Sequence, residues 1–122
     1  MKYQVHEEGG FRYIDEGQGE NMLLLHGLFG ALSNWDGVID GFSDRFRVLI
    51  PVLPIYELPP RKAGLEALLE FLENFLAFKD LRNLTVLGNS LGGHFGLLYT
   101  LKNPENVQRL ILTGSSGLFE NS

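Results

Sequence analysis

Four short apolar runs, Met22–Leu25, Phe46–Ile50, Leu84–Leu87 and Val107–Thr113, recur along the chain with helical patterns between them. Runs of this length suit strands buried on both faces. Ala63–Phe78 is the clearest helix. Leu65, Leu68, Leu69, Leu72, Phe75 and Leu76 keep the i, i+3, i+4, i+7 spacing, with Glu66, Glu70 and Glu73 opposite. Leu91 to about Lys102 predicts another helix, stopped at Asn103-Pro104. A shorter one is expected from an N-cap at Ser33 to about Phe42. Asp36 takes the capping-box position, and Trp35, Val38, Ile39 and Phe42 share a face. Strands alternating with helices imply right-handed crossovers and a largely parallel sheet. Lys2–His6 and Phe11–Asp15 alternate as two strands about a Glu8-Gly9-Gly10 turn, which puts an antiparallel hairpin at one edge. The expected fold is α/β, with a mostly parallel sheet and helices on both faces. PVLPIYELPP, residues 51–60, holds four of the five prolines and is expected to be irregular.

Composition narrows the function classes. The chain has 122 residues, suiting one domain, and 44% of them are hydrophobic, enough for a core. The net charge is −5, and the ten Lys and Arg are scattered. No basic stripe points to nucleic acid or anionic lipid. The lack of cysteine excludes a disulfide frame and a thiolate metal site. MKYQVHEEGG lacks an apolar signal core, and no apolar run approaches the ~18 residues of a membrane span. A cytoplasmic protein without membrane or nucleic-acid partners is therefore the default.

LTVLGNSLGGHFG, residues 84–96, carries the chemistry. Gly88-Asn89-Ser90-Leu91-Gly92 fits G-x-S-x-G, with a buried strand before it and a helix after it. A sharp strand-to-helix turn would project the Ser90 hydroxyl above the sheet edge. Strand and helix backbones then approach so closely that a Cβ at Gly88 or Gly92 would clash. The serine itself is expected in a strained conformation. The helix starting there aims free N–H groups and a positive dipole end at a developing anion. The bland alternative is a glycine-rich turn with a structural serine, and the strand–helix context weighs against it. A phosphate loop fails because the chain has neither G-x-x-x-x-G-K-[ST] nor G-x-G-x-x-G after a strand.

The second element is His26-Gly27-Leu28-Phe29-Gly30, directly after the Met22–Leu25 run. Acyl transfer needs two donors aimed at the carbonyl oxygen as it becomes an oxyanion. The backbone N–H groups of Leu91 and Leu28 are the candidates. His26 is read as shaping its loop by hydrogen bonding, not as a base.

Together these motifs resemble the α/β-hydrolase family. The order of elements is similar to its N-terminal half, and NPENVQRLILTG is similar to its segment leading into the sixth strand. The resemblance covers nearly the whole chain. It implies that Ser90 is the nucleophile, that the Leu28 and Leu91 amides form the oxyanion hole, and that His26, Gly27, Gly88, Asn89 and Gly92 support elbow and loop. It implies ester-type hydrolysis of a small-molecule acyl substrate through an acyl-enzyme, without metal or organic cofactor. A serine, where some relatives carry Asp, argues against dehalogenase or epoxide-hydrolase chemistry.

The chain departs from the family pattern in two places. Where many relatives carry an Asp and a glycine-rich turn after the fourth strand, it reads Pro51-Val52-Leu53-Pro54-Ile55-Tyr56. Tyr56 is read as packing. The larger departure is the triad, whose acid and histidine follow the serine. The only later histidine is His94, read as packing or edging the pocket. His6 lies in the first strand, at the far edge of the sheet. Glu105 precedes the last strand, and Glu120 lies in the tail. The 122 residues are thus expected to be the N-terminal half of one hydrolase domain, an incomplete α/β-hydrolase fold without cap region and last strands. Alone the fragment is expected to be inactive, because losing the triad costs on the order of 10⁶ in kcat in a well-studied serine hydrolase. The missing C-terminal half is then a partner. The alternative is a non-catalytic binding or scaffold module that keeps the fold.

Overall fold

The apolar runs become strands because each can bury both faces only inside a sheet covered by helices. A computed structural model describes residues 3–27, 35–54 and 61–114, with the side chains of 61–63 excepted. The elements are β1 (His6–Glu8), β2 (Phe11–Gly17), β3 (Glu20–Leu25), α1 (Asp36–Phe42), β4 (Phe46–Pro51), α2 (Arg61–Lys79), β5 (Leu84–Asn89), α3 (Leu91–Lys102) and β6 (Val107–Thr113). A 3₁₀ turn, Pro104–Asn106, precedes β6. The sheet order is β1-β2-β4-β3-β5-β6. β3 pairs in parallel with β4 and β5, and β5 with β6, while the β1–β2 and β2–β4 pairs are antiparallel. The expected mostly parallel sheet with an edge hairpin is what forms.

The period-2 alternation of the strands sorts two cores. Leu23 and Leu25 of β3 join Leu49, Leu84 and Val86 beneath Leu68, Leu72, Phe75 and Leu76 of α2 and Phe95 and Tyr99 of α3. Met22 and Leu24 point the other way, with Ile14, Val48, Ile50 and Leu87, toward Ile39 of α1. Helices therefore cover both faces. Leu23, Leu24 and Leu25 are fully buried, each worth about 1.5–3 kcal/mol of transfer free energy. That burial fixes β3 at the centre, where its C-terminal end meets the end of β5.

Three details differ from the sequence reading. The first strand is His6–Glu8 and not Lys2–His6. Gly9 and Gly10 both take positive φ, 59° and 85°, so a two-residue turn pairs Glu8 directly with Phe11. Phe42 is 41% exposed and meets the Phe46 ring edge-on at 5.9 Å, because α1 ends there and only Ile39 of this helix is fully buried. Pro51 belongs to β4 opposite Tyr13. Its missing N–H falls on the last ladder position, where it is tolerated. The proposed cap at Ser33 lies outside the described residues, and Trp35 holds the N-cap position without a side-chain hydrogen bond. Among the described residues, no helix is long and apolar enough to cross a membrane.

A charged cluster ties α2 to the hairpin side of the sheet. Arg47 donates two hydrogen bonds to Asp15, at 2.9 and 2.7 Å. Lys79, the last residue of α2, lies 3.3 Å from the same carboxylate and donates to the Tyr13 hydroxyl at 3.2 Å. Tyr13 in turn donates to Glu8. Burial by itself would raise the Asp15 pKa, but the hydrogen bonds and charges of Arg47 and Lys79 outweigh it and hold the carboxyl below its ordinary value. A depressed carboxyl pKa stabilises the fold above the unfolded-state value, and the contribution is lost as pH falls through the folded one. Asp15→Asn is expected to cost about 2 kcal/mol at pH 7 in urea unfolding. The gap to wild type should close as the pH is lowered through the depressed Asp15 pKa.

Candidate functional site

At the C-terminal end of β5 the chain turns into α3 within one residue. Ser90 makes that turn with φ 56° and ψ −121°, a region L-residues rarely enter. Two features over-determine it. The Ser90 N–H still bonds to Thr113 O on β6 at 2.9 Å. The Ser90 carbonyl, already turned into the helix, accepts the N–H groups of Gly93 and His94 at 2.9 and 3.3 Å. The side chain is half-buried, at the surface end of the sheet. Its hydroxyl has no hydrogen-bond partner among the described residues.

The glycines around it are close-approach glycines. A Cβ on Gly88 would sit 2.6 Å from Gly92 O and Gly93 Cα, so the strand could not fold back under its own helix. A Cβ on Gly92 would sit 2.1 Å from Leu25 O and 2.6 Å from His26 O. The first turn of α3 thus presses directly on the end of β3. Asn89 does not face the hydroxyl as a catalytic group would. Its side-chain oxygen accepts from Thr113 Oγ1 at 3.0 Å, locking the last β5–β6 pair.

The exit of β3 closes the other side. A Cβ on Gly27 would lie 3.0 Å from Ser90 Cβ and 3.5 Å from Ser90 Oγ, so Gly27 leaves room for the hydroxyl. His26 is 8% exposed, with both ring nitrogens engaged. Leu53 N–H donates to Nε2 at 3.1 Å, which fixes Nε2 as unprotonated. Nδ1 then carries the proton and donates to Gly27 O at 3.1 Å. Burial pushes the His26 pKa below its ordinary value, partly opposed by the bond to Gly27. A neutral imidazole with its lone pair already committed cannot take a proton from Ser90. The sequence marked His26 and Gly27. It gave no sign of Leu53, beyond the general rule that the N–H groups of a buried extended segment must find acceptors.

Leu91 is the first residue of α3, and the opening N–H groups of a helix have no partner within it. An anion beside Ser90 Oγ could use such a donor. The second proposed donor, Leu28, lies outside the described residues, as do Phe29, Gly30, Tyr56 and Glu120. His94 is half-buried one turn into α3, with its ring edge-on to Phe95 at 6.3 Å, and makes no side-chain bond to Ser90. His6 stacks on Tyr13 at 5.3 Å in the edge strand β1, and Glu105 lies in the 3₁₀ turn before β6. None of these completes a triad among the described residues.

A strand-to-helix turn carrying a strained serine between close-approach glycines defines a class, and comparison with known proteins agrees. The family model for the alpha/beta hydrolase fold matches residues 20–121. The chain belongs to this family. It is 47% identical to an alpha/beta hydrolase enzyme from the metagenome of sediments of the lagoon of Mar Chica, Morocco, with a TM-score of 0.87, covering 96% of this chain and 54% of that one. It is 33% identical over 106 residues to the pimeloyl-[acyl-carrier protein] methyl ester esterase of Nitrosomonas europaea, covering 84% of this chain and 40% of the esterase. It is 30% identical over 111 residues to the 2-hydroxy-6-oxo-2,4-heptadienoate hydrolase of Pseudomonas putida, covering 85% and 40%. The chain therefore spans about half of the metagenomic hydrolase and 40% of these two curated relatives.

The elbow generates a stability prediction. Glycine tolerates the φ of residue 90 and alanine does not, so Ser90→Gly should be more stable than Ser90→Ala by about 1 kcal/mol in thermal or urea unfolding. Gly92→Ala, meeting rigid backbone and no flexible side chain, should cost about 3 kcal/mol or more by the same measurement.

Proposed function

We propose that the complete protein is a serine hydrolase that cleaves an ester or similar acyl bond through an acyl-enzyme on Ser90. The observation that carries this reading is the strained Ser90 backbone, which holds the hydroxyl at the N-terminus of α3, against Gly27 and without a hydrogen-bond partner among the described residues. Strain of this kind persists only where the surroundings enforce it, and it clusters at reactive positions. Esterase and hydrolase relatives of the same family support the class.

In the proposed reaction, Ser90 Oγ attacks the substrate carbonyl carbon and its proton passes to a histidine. The carbonyl oxygen gains the negative charge and rests on the amides of Leu91 and Leu28. Collapse of this intermediate breaks the acyl–oxygen bond, and the alcohol leaves with the proton from the histidine. Water then attacks the acyl-enzyme by the same route, freeing the acid and restoring Ser90. Histidine and carboxylate are assigned to sequence outside these 122 residues, and the fragment alone is proposed to be inactive. No metal or organic cofactor enters the scheme. The protein is proposed to act in the cytoplasm, on a small-molecule acyl substrate and without membrane or nucleic-acid partners.

The second reading, a binding or scaffold module of the same fold, is favoured by one observation. Neither histidine after β3, His26 with its filled hydrogen bonds nor His94 on α3, bonds to Ser90. A fluorophosphonate probe separates the two. Applied to the complete protein, it should label Ser90, and Ser90→Ala should abolish labelling and lower esterase kcat by about 10⁴-fold or more. An unlabelled protein whose activity survives Ser90→Ala refutes the hydrolase proposal.

A further inference from the structure

At the end of the sheet away from Ser90, where β5 and β6 begin, α2 and α3 both finish against a cavity of about 520 Å³. That is room for a small molecule. Its charged lining is Glu73 on α2, Asp80 and Arg82 just after that helix, and Glu105 in the 3₁₀ turn. Three carboxylates against one guanidinium make the cavity electronegative, and the negative ends of two helix dipoles add to it. Lys102 reaches Glu73 at 3.2 Å and Arg82 reaches Asp80 at 3.3 Å. Both cations are more than half exposed, and pairs of that kind are weak. Glu105 makes no ion pair or hydrogen bond among the described residues. Nor do any of them form a group of three or more His, Asp or Glu that could hold a metal ion. A second feature is independent of this charge. Tyr99 is 3% exposed and lines the cavity beside Asn106. Its oxygen accepts Asn106 Nδ2–H at 2.8 Å, while its own O–H finds no acceptor among the described residues. Burial raises the Tyr99 pKa. The Asn106 bond opposes that rise, and the charges of Glu73 and Glu105 add to it. The phenol therefore keeps its proton, a buried donor within the field of the carboxylates.

We propose that this cavity binds a small amino alcohol, its ammonium taken by the Glu73, Asp80 and Glu105 carboxylates and its oxygen accepting the Tyr99 O–H. Each half of the ligand answers one feature of the wall. A simple amine meets the carboxylates but leaves the buried phenol donor unmade, which carries a desolvation penalty. A neutral alcohol takes the phenol proton but leaves the carboxylates without a counter-charge. Only a molecule with both groups a few bonds apart serves the two together. The site lies at the far end of α3 from Ser90. It claims binding and not turnover, so it stands apart from the serine-hydrolase reading.

Three probes divide the two halves: ethanolamine, ethylamine without the oxygen, and ethylene glycol without the charge. Each is titrated near neutral pH into the ¹⁵N-labelled complete protein. The readout is the side-chain amide signal of Asn106, the partner of the Tyr99 hydroxyl. Ethanolamine should shift that signal saturably, with a Kd about fivefold below that of ethylamine. Ethylene glycol should not shift it. Glu105→Gln, which has no bond to lose, should weaken both amines about threefold. Tyr99→Phe should make the two amines bind equally. Equal affinity of the two amines for the wild-type protein, or no saturable shift with either, overturns the proposal. So does ethylene glycol binding as tightly as ethanolamine, an undiminished affinity in Glu105→Gln, or a preference for ethanolamine that survives Tyr99→Phe. The comparison of probes on the wild-type protein needs no variant, so it decides the matter even where Tyr99→Phe does not fold.

Discussion

The first turn of α3 lies on the carbonyls of Leu25 and His26 with no side chain between them, and the serine end of the molecule depends on that contact. Only a residue without Cβ permits it at position 92. The approach sets the height of α3 above the sheet. Gly96 continues it one turn later, where an added Cβ would press on Val86 Cγ1 at 3.2 Å. Because α3 sits so low, the chain must leave β5 and enter the helix in a single residue. That residue is Ser90, and its unusual backbone follows from the packing and not from its own preference.

Polarity at this end comes from main chain more than from charge. The ion pairs of Asp15, Arg47 and Lys79 gather on the β2–β4 side of the sheet, joined to α2. Around the bend at Ser90 lie the Gly27 main chain and the opening amides of a helix, with the Leu25 and His26 carbonyls against Gly92. Such groups are held in place by folding and need no rearrangement when charge develops beside them. The two cores beneath serve the same end, since fully buried β3 residues on both faces prevent the exits of β3, β4 and β5 from sliding past one another.

Most of the architecture was legible because its signals were local and redundant. The β3 and β5 runs, the leucine spacing of α2 and the Asn103-Pro104 stop each named an element before any contact was known. The Gly88 and Gly92 positions could be read as close-approach glycines because a strand ran in and a helix ran out. What escaped the sequence was relational. Strand His6–Glu8 was displaced because the Gly9-Gly10 turn, not the alternation of Lys2–His6, sets the register. Phe42 fits the apolar face of α1 in the pattern yet lies past the point where that helix meets the sheet. The Leu53–His26 bond joins residues 27 apart through a backbone amide, and no residue pattern announces a main-chain donor.

Thr113 has a place of its own in this arrangement. It is the final residue of β6, yet its carbonyl holds the Ser90 amide and its hydroxyl holds Asn89. The sheet therefore releases the polypeptide alongside Ser90, anchored at the last residue of the strand. The end of β6 is thus tied to the β5–α3 turn by main chain and side chain together. A change of sequence after β6 would leave that pair of bonds, and the bend they steady, as they are.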